Sequence, residues 1–135
     1  MTTNARVFLV DDDEALLDAL AGFLESEGYE VETARNGKEA IEKLATIAPP
    51  GVILLDLKMP VMDGWQFLAA RSADPAAPRV PVVLLSGLAF IPNAPGVADF
   101  LSKPIDSSRL LACVRRFCGE PGREREGRPQ PEQRT

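Results

Sequence analysis

An apolar run that ends in a single carboxylate constrains the fold of this chain more than any other feature. Residues 51–55 are apolar, Asp56 follows them, and turn-forming residues begin almost at once with Lys58-Met59-Pro60. A short apolar run bounded by turn signals is typical of a strand that is buried on both faces at the centre of a parallel sheet. Ligands of open α/β sheets bind at the carboxyl ends of the strands. Asp56 is therefore our candidate for the chemically active residue.

Strand and helix patterns alternate along the rest of the chain. Strands are predicted at residues 6–10, 29–33, 51–55, 80–85 and 98–101. Apolar residues recur at helical spacing from Leu16 to Leu24, Ala40 to Ile47, Trp65 to Ala69 and Leu110 to Phe117. This alternation predicts a parallel sheet covered by helices on both faces, with right-handed crossovers.

Capping residues mark the ends of two of these helices. Asp13 or Glu14 is placed to cap the start of the first helix, and Gly28 stands where its C-terminal cap belongs. Asp106 or Ser107 is placed to cap the last helix.

Two segments depart from the regular alternation. Residues 88–97 contain Pro92, Pro95 and Gly96, so we expect a shortened or irregular helix between the fourth and fifth strands. Residues 119–135 contain no large apolar side chain and are predicted to form a disordered polar tail. The folded domain is therefore expected to span residues 1–118.

Composition excludes several classes of function. The length of 135 residues predicts one domain, and the net charge of −5 argues against direct nucleic-acid binding. Histidine is absent, which removes imidazole chemistry. No transmembrane span and no signal peptide are readable, so a cytoplasmic protein without membrane contact is expected. Cys113 and Cys118 are interpreted as small apolar core residues.

The polar residues that follow the predicted strands suggest a chemical site. Asp11 and Asp12 follow the first strand, Asp56 the third, Ser86 the fourth and Lys103 the fifth. Converging carboxylates raise one another's pKa unless a cation is bound, and oxygen ligands favour Mg²⁺. A lysine ammonium and a hydroxyl can then surround a transferred phosphoryl group. Asp56 would be the nucleophile and would form an acyl phosphate.

Each of these residues has a plainer interpretation when it is taken alone. Asp11 could cap a helix, Ser86 could be a turn residue, and Lys103 could be a solvated surface lysine. Their joint occurrence at strand ends favours the site.

Four motifs in the same order resemble one known family. They are the acidic cluster at residues 10–13, the acceptor segment at residues 55–64, Leu85-Ser86-Gly87 and the segment at residues 100–104. From about residue 6 to residue 118 the chain resembles the receiver domain of response regulators in two-component signal transduction. The resemblance implies a flavodoxin-like doubly wound five-stranded sheet in the order 2-1-3-4-5. It also implies a phosphorelay in which a sensor histidine kinase or a phosphotransfer protein donates a phosphoryl group to Asp56.

The resemblance assigns a role to each matching residue. Asp11, Asp12, Asp56 and the backbone carbonyl of Lys58 would hold Mg²⁺. Lys103 would pair with the phosphoryl group, and Ser86 would supply the switch hydroxyl. Phe100 would be the switch aromatic, with an ordinary core residue as the alternative. The protein would be a phosphoacceptor that assists its own phosphorylation and dephosphorylation, not an enzyme with a separate substrate.

The output of the domain is less defined than its chemistry. Receivers of this family commonly signal through the face made by the fourth helix, the fifth strand and the last helix, often as a dimer. The irregular fourth helix expected here therefore leaves dimerisation open. We expect residues 88–97 to change most on phosphorylation. The sequence shows no DNA-binding or catalytic output domain. We therefore expect a downstream protein to read the signal through a protein–protein surface, unless the chain is a fragment of a longer protein.

Two other functions fit part of the sequence. In the first, a haloacid-dehalogenase-like phosphatase would use Asp11 as nucleophile and Asp13 as general acid, but that function leaves the Asp56 motif unexplained. In the second, the chain is a receiver-like interaction module that is not phosphorylated.

Overall fold

The computed structural model describes residues 4–87 and 96–121. In chain order the elements are β1 (Arg6–Val10), α1 (Glu14–Ser26), β2 (Glu30–Ala34), α2 (Gly37–Leu44), β3 (Val52–Asp56), α3 (Gly64–Ala73), β4 (Val82–Ser86), β5 (Val97–Ser102) and α4 (Ser107–Cys118).

The strands form one parallel sheet in the order β2-β1-β3-β4-β5. This is the expected flavodoxin-like order. β3 lies at the centre and is buried along its whole length, whereas β2 at one edge is only partly buried. The prediction for the helix between β4 and β5 falls almost entirely on residues 88–95, which lie outside the described residues.

Side chains of the central strands point alternately into two cores, one on each face of the sheet. Leu9 and Leu54 belong to the core that α1 and α4 cover. Phe8 and Ile53 belong to the core that α2 and α3 cover. The apolar run before Asp56 is continuous because β3 contributes to both cores.

The predicted caps are confirmed for three helix ends. The Asp13 carboxylate accepts a hydrogen bond from the backbone N–H of Leu16 at 3.1 Å, at the start of α1. Gly28 follows the end of α1 with a φ of 102°, a conformation that glycine adopts without steric cost. Asp106 caps α4 by accepting from the N–H of Ser108 at 3.1 Å.

The predicted end of the second helix is wrong. α2 ends at Leu44, so Ile47 lies beyond it. The backbone N–H and the hydroxyl of Thr46 both donate to the carbonyl of Lys43, each at 2.9 Å. These local bonds close the helix one turn earlier than the apolar spacing indicated.

The start of the predicted polar tail contacts the domain. The Tyr29 hydroxyl donates to the carbonyl of Gly119 at 2.7 Å, and Glu120 pairs with Arg115 at 3.2 Å. The rest of the predicted tail, residues 122–135, lies outside the described residues. Within the described part of the chain, no helix has both the length and the apolar character that a membrane span requires.

α3 begins in close contact with the end of β3. The backbone N–H of Gly64 donates to the carbonyl of Leu57 at 3.0 Å. A Cβ atom at position 64 would lie 2.5 Å from the backbone oxygen of Asp56. Glycine at this position therefore allows α3 to start directly against the strand that carries Asp56.

We predict that Gly64→Ala lowers the free energy of unfolding by about 2 kcal/mol, because backbone atoms must move to admit the methyl group. Gly22→Ala is the matched control, since a Cβ at position 22 in α1 meets nothing within 4 Å. That control should raise stability by up to about 1 kcal/mol through helix propensity. Urea denaturation measures both changes, and equal stability of Gly64→Ala and the wild type would contradict the packing argument.

Candidate functional site

The carboxyl ends of the strands surround a cleft of about 420 Å³. Its lining includes every residue that the sequence placed at this edge, and among all the predicted site residues only Phe100 lies outside it. The lining residues are Asp11, Asp12, Asp13, Asp56, Leu57, Lys58, Ser86, Gly87 and Lys103.

Backbone pairing fixes the positions of these side chains. Asp11 follows β1, and its N–H donates to the carbonyl of Ala34 at 3.0 Å. Asp56 is the last residue of β3, where it is paired in register with Leu85 of β4. The N–H of Lys103 donates to the carbonyl of Ser86 at 2.8 Å, which ties the end of β5 to the end of β4.

Three carboxylates converge in the cleft. One ligand oxygen each from Asp11, Asp12 and Asp56 lies within 4.8 Å of the others. Asp11 and Asp56 are only 1% and 6% exposed, whereas Asp12 is exposed. Oxygen atoms at this spacing are the donors that Mg²⁺ and Ca²⁺ prefer. The acidic cluster therefore fits a hard divalent cation.

Lys103 joins two of the three carboxylates. Its Nζ atom lies 2.8 Å from Asp11 Oδ2 and 3.3 Å from Asp56 Oδ1. Burial alone lowers the pKa of Lys103, but the hydrogen bond and charge of Asp11, together with Asp56, outweigh it and raise the pKa. Lys103 is therefore held as an ammonium ion beside Asp56.

The pKa of Asp56 is also raised. Burial is the main cause, and the charge of Asp11 adds to it. Lys103 and a backbone hydrogen bond from Lys58 act in the opposite direction without cancelling the rise. The ionised form of Asp56 is thus less favourable here than in water, and an added positive charge would stabilise it.

The remaining predicted residues occupy different environments. Ser86 is buried and lines the cleft, while the side chain of Lys58 is exposed. Phe100 is 47% exposed on β5, so its interpretation as an ordinary core residue is wrong. Its role as a switch aromatic stays a prediction.

The loop after Asp56 contains a strained turn that the sequence did not reveal. The N–H of Met62 donates to the carbonyl of Pro60 at 2.7 Å, across Val61 with a φ of 69°. This γ-turn is strained, and a β-branched residue is rarely found at such a φ. No sequence signal marks it, because glycine or asparagine would be expected there.

A second missed contact holds this loop against α2. The N–H of Gly37 donates to the carbonyl of Met62 at 2.8 Å, and a Cβ at position 37 would lie 2.7 Å from Met62 Cγ. In the sequence, the Asn36-Gly37 pair indicates a turn at this place, but it does not indicate that the turn contacts Met62.

Comparisons with known proteins agree with this geometry. The family model described as response regulator receiver domain matches residues 7–115. The chain is 40% identical over 117 residues to the response regulator PleD of Caulobacter vibrioides, a match covering 83% of this chain and 26% of PleD. It is 37% identical over 115 residues to the transcriptional regulatory protein GlrR of Escherichia coli, covering 82% of this chain and 25% of GlrR. The chain thus spans about a quarter of the length of these relatives.

Solved structures show the same fold. The chemotaxis response regulator CheY4 of Vibrio cholerae matches with a TM-score of 0.72 and 32% identity, covering 85% of this chain and 99% of that one. The receiver domain of a sensor histidine kinase from Pseudomonas aeruginosa matches with a TM-score of 0.75 and 25% identity, covering 87% and 99%. That structure has a magnesium ion coordinated in its active site cleft.

We predict that Asp56→Asn stabilises the protein at pH 7 without divalent cations, by on the order of 1 kcal/mol. The raised pKa of Asp56 means that ionisation costs stability. That cost is absent below the ordinary pKa of an aspartate, grows as the pH rises, and is complete above the raised pKa. The gain should therefore shrink when urea denaturation is repeated at pH 4.

The exposed Asp18 supplies the control variant Asp18→Asn, whose free energy of unfolding should change by no more than about 0.5 kcal/mol. A less stable Asp56→Asn at pH 7 would refute the argument.

Proposed function

This chain belongs to the response regulator receiver domain family, and we propose that it accepts a phosphoryl group on Asp56 from a histidine kinase or a phosphotransfer protein. The observation that carries the proposal is the contact between the Asp56 carboxylate and the Lys103 ammonium in a cleft with two further carboxylates.

In the proposed reaction, an Asp56 carboxylate oxygen attacks the phosphorus atom of a phosphohistidine. A P–O bond forms while the P–N bond breaks, and its electron pair returns to the imidazole of the donor. The product is an acyl phosphate on Asp56. Asp56 is held at the end of a fully buried strand, which limits the directions from which a donor can approach.

Lys103 and Ser86 are proposed to hold the transferred group. The Lys103 ammonium already contacts the nucleophile, so it can pair with a phosphoryl oxygen after only a small movement. The Ser86 hydroxyl lines the same cleft and can donate to another oxygen. Both groups act where negative charge is redistributed during transfer.

Asp11, Asp12, Asp56 and the backbone carbonyl of Lys58 are the groups that would hold Mg²⁺. The bound ion would supply the positive charge that lets an anionic phosphoryl donor approach three carboxylates. Lys103 alone offsets only part of that negative charge, because its one ammonium contacts two carboxylates.

The proposed switch links Ser86 to Phe100. Phe100 is paired in register with Leu84, and Ser86 with Ser102, so the Phe100 and Ser86 side chains belong to the same face of neighbouring strands. A shift of the Ser86 hydroxyl toward the phosphoryl group would free space for the exposed ring to turn inward. Such an inward turn would change the surface that a downstream protein reads.

The proposal places the protein in the cytoplasm, where its two free cysteines would remain reduced. It includes no membrane contact and no direct nucleic-acid binding by this domain. Dimerisation stays open. The rival phosphatase function loses support, because the Asp13 carboxylate that would serve as general acid caps α1 instead.

Labelling with acetyl phosphate and Mg²⁺ tests the proposed chemistry. We expect one phosphoryl group per wild-type chain. We expect none on Asp56→Asn, because this variant lacks the carboxylate that is proposed to be the nucleophile. Asp18→Asn should label like the wild type. Intact-protein mass spectrometry measures the label. An inert wild type, also unlabelled by purified histidine kinases, would indicate the interaction module, and sustained turnover that depends on Asp11 would indicate the phosphatase.

Thermal denaturation tests the proposed metal set. We expect 10 mM Mg²⁺ to raise the Tm of the wild type by several degrees, because a ligand that binds only the folded state stabilises it. The shift should be lost in Asp12→Asn, whose carboxylate is exposed and whose removal leaves the buried pair intact. It should persist in Asp18→Asn. Equal shifts in all three proteins would rule out this metal set.

A further inference from the structure

α3 carries a cation at a position where its pattern requires an apolar residue. Gly64, Phe67 and Leu68 form its buried stripe. The next position of that stripe, seven residues after Gly64, is Arg71. A charge placed on the core-facing side of a helix costs free energy unless a partner compensates it.

The contacts of Arg71 leave most of its hydrogen-bonding capacity unused. One nitrogen, Nη2, donates to the carbonyl of Pro78, which fixes the loop between α3 and β4. Within residues 4–87 and 96–121, Arg71 forms no salt bridge. The nearby Asp74 carboxylate instead accepts from the N–H of Ala76 at 2.9 Å. Arg71 Cζ also lies 5.9 Å from the centre of the Phe67 ring, a contact that uses no N–H donor in a hydrogen bond. A guanidinium group has five N–H donors, so one carbonyl does not satisfy it.

Arg71 also borders an apolar cleft. This cleft, called here the α2–α3 cleft, has a volume of about 460 Å³ and lies at the end of the sheet opposite Asp56. Ile41, Leu44 and Ile47 line one side of it, and Ala70, Ala77 and Val80 line the other. Among the described residues, Arg71 is the one cation and Asp74 the one anion in its lining. Burial lowers the pKa of the Arg71 guanidinium, and the charge of Asp74 acts in the opposite direction without cancelling the shift.

We propose that the α2–α3 cleft binds a small amphipathic carboxylate, with the apolar body between α2 and α3 and the carboxylate paired with Arg71. The volume lies within the range of small-molecule sites, and a mostly apolar lining with a few polar or charged groups is typical of them. A guanidinium group pairs with a carboxylate through two parallel hydrogen bonds. Because the Asp74 carboxylate already accepts a hydrogen bond from Ala76, the unused N–H donors of Arg71 are the groups left for a ligand, and they favour an organic anion.

The test is a titration of ¹⁵N-labelled full-length protein with 3-phenylpropionate, followed by backbone amide shifts. We expect saturable shifts confined to residues 41–50 and 70–80, because these segments line the cleft. The neutral analogue 3-phenylpropan-1-ol has the same apolar body, so its binding should be at least tenfold weaker. Octanoate replaces the ring with a chain of similar length and tests whether the site requires an aromatic body.

Two variants with the same charge change separate Arg71 from general electrostatics. Arg71→Gln should weaken carboxylate binding at least tenfold without affecting the alcohol. Arg79→Gln should leave the affinity within about twofold, because Arg79 lines a neighbouring cleft and not this one.

Three outcomes would overturn the proposal. They are no saturable shift with either carboxylate, equal affinity for the carboxylate and the alcohol in the wild type, and equal affinity of Arg71→Gln and the wild type. The second comparison needs no variant, so the proposal stays testable even if Arg71→Gln fails to fold.

Discussion

The contact of one ammonium with two buried carboxylates is the constraint on which the site depends. Lys103 Nζ reaches both Asp11 and Asp56, while Asp12 adds a third carboxylate beside them. Such a cluster repels itself, so the sheet must hold it in place. The free energy for this comes from the two apolar cores on either face of β1 and β3, which fix where each strand ends.

The sequence predicted the sheet and the cleft well because both depend on regular features. Apolar runs located all five strands to within two residues, and parallel strands must place their carboxyl ends at one edge. Asp11, Asp56, Ser86 and Lys103 were therefore expected at one edge of the sheet, and the family resemblance supplied the strand order that makes them neighbours. Which carboxylate Lys103 would approach more closely could not be predicted, because it depends on the register of β4 and β5 and on side-chain conformation.

The features that were missed depend on local or tertiary contacts. Thr46 ends α2 through its own hydrogen bonds, so the apolar spacing that included Ile47 predicted a helix that was too long. The φ of Val61 follows from a turn held between Asp56 and α2, and no residue preference indicates it. Arg71 could have been noticed, since it occupies the apolar position of α3, but only the structure shows that it forms no salt bridge with another described residue.

α3 connects the two ends of the sheet. It begins at Gly64, against the backbone oxygen of Asp56, and its last turn carries Arg71 beside the α2–α3 cleft. Close-packed interiors transmit strain, so a displacement of Asp56 would press on the start of α3. Linkage makes any coupling reciprocal: if phosphorylation of Asp56 changes the affinity of the α2–α3 cleft for a carboxylate, the carboxylate changes the phosphorylation equilibrium by the same factor. The close contact at Gly64 is where such coupling would reach α3.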